Sequence, residues 1–126
     1  MGELVILSVQ EGVRLDGRRI AALLRERGMQ ETEVLLRSRL RAVAAHVAAI
    51  EAAYAQGHAA ALSAHAAAIA EYAADIGLAG IARIARDAET CANRGDCVGF
   101  RATCARMQRL SRRSLDVLSG SQGARA

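Results

Sequence analysis

Few side chains in this sequence are equipped for chemistry. Three histidines, His46, His58 and His65, and three cysteines, Cys91, Cys97 and Cys104, are the strong nucleophiles and soft metal ligands among its 126 residues. An imidazole with a pKa of about 6.5 is largely neutral, and so nucleophilic, at cellular pH. The cysteines are odd in number and spaced by six and seven residues, which fits neither a zinc pair nor a dense disulfide framework. Reduced thiols in a cytosolic protein are the expectation. Cys97 and Cys104 fall on one helical face and read as small core groups. His46 stands beside Val47 with no cysteine or carboxylate at ligand spacing, so it reads as a partly buried histidine, and no metal site is expected. His58, next to Gly57, reads as a solvated turn residue. There is no glycine-rich phosphate loop, no nucleophile and base at recognisable spacing and no paired acidic motif, so neither an enzyme nor a bound cofactor is expected.

The elements that must position these residues read as helices. The length suits one hydrophobic core, and an alanine- and leucine-rich chain with no proline, no tryptophan and one phenylalanine favours helix over strand. Residues 1–15 read as an arm with no clear period, apolar from Leu4 to Leu7, with the stretch to Val9 open to an extended or a helical conformation. Asp16 can cap a short first helix carrying Ile20, Leu23 and Leu24 up to Gly28, and Thr32 can cap a second. In that second helix Leu36, Leu40, Val43, Val47, Ile50 and Tyr54 recur in steps of four and three until Gly57. A third places Leu62, Ala66, Ile69, Ala73 and Ile76 on one stripe before Gly77. A fourth aligns Ile81, Ile84, Ala88 and Cys91 and stops at Gly95. Asp96 can cap a fifth, with Phe100, Cys104 and Met107 inward and Leu110, Leu115 and Leu118 extending the apolar surface. Short glycine-marked connections predict an all-α fold, an antiparallel up-down four-helix bundle with an additional short N-terminal helix. The bundle spans residues 16–119 and a flexible tail 120–126.

The landmarks from Gly57 to Asp96 carry a resemblance. Gly57-His58 ends one helix, Ala67-Ala68-Ile69-Ala70-Glu71 lies mid-way along the next, Ile76-Gly77 closes it, and Gly95-Asp96 follows with Glu89 in the helix between. This layout resembles the histidine-containing phosphotransfer (HPt) domain family, helical bundles that relay phosphate between receiver domains in two-component systems. There the helix carries H-x-L-K-G. Counting forward from Gly57 or back from Ile76-Gly77, without a gap, puts Ala67 where the resemblance implies the phosphate-accepting histidine. Ala70 stands for the lysine and Glu71 for the glycine that lets a receiver come close; Ile69 alone keeps the character of the motif.

His65 is the substitute to test by geometry. At about 100° per residue, the stripe on the third helix leaves Ala67 roughly 140° from the buried direction and His65 roughly 60° from it. Ala67 is expected to face outward, and His65 to flank the core as a seam residue, with a displaced phosphate acceptor as the minority reading. The resemblance implies a receiver-docking face of Ser63, Ala64, Ala67, Ala68, Ala70, Glu71, Ala74 and Asp75. The module would bind a response-regulator receiver domain or a histidine kinase without taking phosphate, as a decoy, inhibitor or scaffold. An adaptor or homodimer that pairs its alanine face is the alternative. All 17 basic residues are arginine against 13 acids, and Arg106, Arg109, Arg112 and Arg113 cluster on the last helix. With Asp116 close by and almost no aromatic residue to stack on bases, nucleic-acid binding is disfavoured. No signal peptide, membrane span or lipidation motif is read, and a cytoplasmic location is expected.

Overall fold

The computed structural model describes residues 15–125, with side chains described up to Ser114 and at Asp116. The expected arm of residues 1–15 lies almost wholly outside this range, as do the side chains of Leu115 and Leu118. The fold is all-α, with four helices and no strand among the described residues: α1 (Gly17–Ala55), α2 (Ala59–Asp75), α3 (Ala79–Arg94) and α4 (Cys97–Arg125). The backbone is helical through Arg125, past Gly120, where the sequence places the start of a tail. Each helix packs on its neighbour in the chain and α4 packs on α1, so the four close a ring; among the described residues the α1 and α3 backbones, and those of α2 and α4, do not come close. No helix of the described residues is long and apolar enough to cross a membrane.

The first two predicted helices are joined differently from expectation. Asp16 does cap α1, its carboxylate accepting from the Arg18 and Arg19 amides at 3.1 and 3.4 Å. Helix α1 then kinks at Gly28 (φ 80°, ψ 171°) and runs on to Ala55. Thr32, expected to cap a second helix, lies instead inside the continuous α1, fully buried, and its hydroxyl donates to the Leu23 carbonyl at 3.1 Å, a bond that spans the kink. The bend at Gly28 brings the Leu23 carbonyl onto Thr32, which takes the hydroxyl out of water. Thr32→Val keeps the shape and removes this donor; denaturant unfolding should show a loss of about 0.5–1.5 kcal/mol, and an unchanged midpoint would mean the bond does not hold the bend.

The other turns repeat one device. The His58, Leu78 and Asp96 amides donate to the carbonyls five residues back, Ala53, Ala73 and Cys91, at 3.0, 2.8 and 2.9 Å. The preceding Gly57, Gly77 and Gly95 amides reach back three residues. This paired pattern closes each helix with its last carbonyls satisfied and turns the chain at once into the next. Asp96 also caps α4, accepting from the Gly99 amide at 2.9 Å.

The core follows the stripes. Leu36, Leu40, Val43, Val47 and Ile50 of α1 are buried, as are Leu62, Ala66, Ile69, Ala73 and Ile76 at α2, Ile81, Ile84 and Ala88 of α3, and Phe100 and Met107 of α4. Two inward assignments fail. Tyr54 is exposed and stacks on Phe100 with centroids 6.0 Å apart, while Ala53 takes the buried place. Cys97 is exposed and Cys104 only half-buried, so the two do not form a shared core pair. Cys97 is the first residue of α4, where the helix has not yet entered the packed ring.

Candidate functional site

The α1–α2 seam gathers the polar groups. Arg39 of α1 lies over the Tyr72 ring of α2, 5.3 Å from its centroid. Tyr72 stacks on His46 of α1 at 5.5 Å, and His46 meets His65 of α2, Nδ1 to Nδ1, at 3.0 Å. The four side chains alternate between the helices, Arg39, Tyr72, His46, His65. Two turns forward along α1, from Arg39 to His46, correspond to two turns back along α2, from Tyr72 to His65. Both steps are seven residues, which an α-helix covers in nearly two whole turns, so the row stays on one side of each helix.

At the far end of the row Asp75 is held from α1. The Arg19 Nε donates to its carbonyl at 2.6 Å, the Arg19 Nη2 reaches Oδ1 at 3.3 Å, and the Arg39 Nη2 lies 3.7 Å from Oδ2. The Asp16 amide donates to the Gly77 carbonyl at 2.8 Å. These contacts pin the start of α1 to the turn between α2 and α3. Because the Arg–Asp pairs are partly exposed, their value lies in fixing geometry more than in stability.

His46 and His65 are both half-buried. Burial, and secondarily the neighbouring His65 ring, push the His46 pKa below the ordinary histidine value. At 3.0 Å only one of the two facing nitrogens can carry a proton, and the other must offer its lone pair. His58 is exposed at the start of α2 and makes no side-chain cap bond. The Cys104 thiol, pushed up to about 11 by burial, then by Glu51 and Cys91, stays protonated and unreactive near neutrality. Burial, with Asp96 and Asp87 adding, raises the Cys91 thiol against the pull of Arg94. Among the described residues no group of three or more His, Cys, Asp or Glu side chains converges on a metal position.

The outer side of α2 carries the residues read as a docking face. Ala64, Glu71, Ala74 and Asp75 are exposed, and Ser63, Ala67 and Ala68 are half-buried. Ala70 is 2 % exposed, which removes it from that surface: it packs in the seam with Ala66 and Ala73. Asp75 is exposed, but its carboxylate is already engaged by Arg19 and Arg39. On α4, Arg106, Arg109, Arg112, Arg113 and Asp116 are all exposed. The row Arg39, Tyr72, His46, His65 and the hold of Arg19 and Arg39 on Asp75 were missed by sequence reasoning; for the row, a common seven-residue step in the two helices, from Arg39 to His46 and from His65 to Tyr72, is the available signal.

Compared with models of known families, with curated proteins and with solved structures, the chain finds no match.

Proposed function

We propose that this chain is an HPt-like module of a two-component phosphorelay, an up-down bundle that works in the cytoplasm and binds a receiver domain, or the histidine kinase that feeds it, without accepting phosphate. The opposed steps of the α1–α2 row and the short turns support alternating helix directions, and the segment of α1 before the Gly28 kink takes the part of the short N-terminal helix. The observation that carries the reading is the surface of α2. Midway along the helix, Ala67 is half-buried, like Ala68, between the exposed Ala64 and Glu71. A methyl group there presents shape without a lone pair, so a receiver's aspartyl phosphate would meet a surface that cannot attack phosphorus.

Titrating the full chain against the host's receiver domains, phosphorylated and unphosphorylated, tests this directly. Binding is expected with no radiolabel passing to the chain. Failure of every receiver and kinase to bind would overturn the reading and leave the adaptor or homodimer, for which sedimentation at two concentrations is the measurement.

One observation favours a second reading, phosphate transfer to His65. When His65 is the donor of the Nδ1–Nδ1 bond, its proton sits on Nδ1 and its Nε2 keeps its lone pair. It could attack the phosphorus of an aspartyl phosphate, forming the N–P bond as the acyl O–P bond breaks and its electron pair returns to the aspartate carboxylate. Acid-labile, base-stable label on the wild-type chain, lost in His65→Gln, would establish this reading in place of the first.

A further inference from the structure

We infer that the His46–His65 contact is a proton-operated latch between α1 and α2, closed when the two imidazoles share one facing proton and opened when each carries its own. The latch stands on seam geometry alone and does not depend on a receiver being the partner.

The geometry distinguishes a shared proton from a shared metal. The ring centroids are 5.2 Å apart and the two Nδ1 atoms 3.0 Å. The difference is close to two ring radii, so the nitrogens point almost straight at each other. Imidazoles that chelate one ion converge on it at an angle, with each bond about 2.0–2.1 Å, and their centroids draw closer than this for the same nitrogen gap. A head-on pair is a hydrogen bond with room for a single hydrogen. It is compatible with two neutral rings in complementary tautomers and with a singly charged pair. A second proton sets two N–H groups and two positive charges against each other across 3.0 Å.

Among the described residues no carboxylate pairs with either ring. From α2, the group stacked on His46 is Tyr72, and the cation over Tyr72 is Arg39 of α1. The nearest carboxylate along the row, Asp75, is engaged by Arg19 and Arg39. Helix α4 meets α1 along Ala44, Val47, Ala48 and Glu51, with Gln108, Arg112 and Asp116 opposite, on the side of α1 away from His46. Among the described residues the α3 backbone does not come near that of α1. A doubly charged pair must therefore part, and His65 carries its neighbours Ala64 and Ala68 with it, so acid reaches the outer surface of α2 through this seam.

The direction of the pH effect follows from proton counts. The folded pair resists its second proton, whereas both histidines of the unfolded chain take theirs at the ordinary histidine value. Between those two points the unfolded state binds more protons, so stability falls as pH drops through the ordinary value and levels off once the folded pair has also charged. Each pKa unit between the two points lowers the folding equilibrium constant tenfold at the acid end.

Histidine-selective 15N NMR on the full chain, followed from pH 8 to pH 5, is the test. The wild type is expected to show two linked steps for the facing pair, with His46 held below the ordinary histidine range. In His65→Gln, the His46 midpoint should rise, and the acid loss of stability measured by denaturant unfolding should shrink. If the wild-type rings titrate independently, each in one step at ordinary midpoints, the latch does not exist. The wild-type titration decides this even where the variant folds poorly.

Discussion

Gly77→Val should destabilise the chain by about 2–5 kcal/mol in denaturant unfolding, while Gly57→Val should lose only about 1–2 kcal/mol. Both glycines close a helix with a left-handed backbone, φ 76° at Gly77 and 73° at Gly57. A β-branched residue meets the same steric penalty at either position. The surroundings differ. A Cβ on Gly57 meets nothing within 4 Å, but one on Gly77 lies 3.1 Å from the Ile20 Cδ1 and 3.2 Å from the Asp16 carbonyl oxygen. That oxygen has little freedom to retreat: it accepts from the Ile20 amide at 3.1 Å, while the Asp16 amide is bonded to the Gly77 carbonyl. Ile20 is itself part of the core. The bare α-carbon of Gly77 is thus the seat on which the start of α1 rests. Equal losses in the two variants would show that this docking adds nothing to stability. Against a total of typically 5–15 kcal/mol, the larger loss would populate unfolded chain well below the wild-type midpoint.

The contrast between these two glycines also marks how far the sequence could be read. The stops at Gly57, Gly77 and Gly95 are legible because a helix closed by a left-handed residue favours glycine, and the amides that reach back five residues need no partner beyond the local chain. The stripes of α1 and α2 are legible for a related reason: apolar residues in steps of three and four leave a helix only one face to bury. Reading by face fails at helix ends. Cys97 points in the same direction as Cys104, yet it stands at the first residue of α4, before the ring begins, and Val98 beside it is 83 % exposed. Tyr54 continues the α1 stripe but falls in the last turn, where its ring lies on Phe100 with one edge in water. What a face cannot give is register between helices. The meeting of His46 with His65 depends on how many residues the turn at Gly57 consumes, and one residue more or fewer would swing His65 by about 100° and break the pair.

The same distinction between direction and depth yields the second large effect, at Ile69, the one position of the α2 motif that keeps its resemblance. Ile69→Ala should lose about 2–5 kcal/mol, and Ala67→Gln, two residues before it, should change stability by roughly half a kcal/mol or less. Ile69 is fully buried, and its neighbours on the stripe, Ala66, Ala70 and Ala73, are no more than 2 % exposed. Those neighbours are methyl groups on a rigid helix. None of these three has a longer side chain able to swing into the space left by the lost atoms, so any closure must come from the larger core residues around them. Ala67 is half-buried on the other side, where a longer polar side chain can extend into water. Paired in one receiver titration, the two variants separate fold from surface. If the outer side of α2 is where a receiver docks, Ala67→Gln should weaken binding while leaving the unfolding midpoint in place. Ile69→Ala should lower the midpoint and yet bind normally at temperatures where it remains folded. The reverse pattern, with binding sensitive to Ile69 and indifferent to Ala67, would move the partner off α2 altogether.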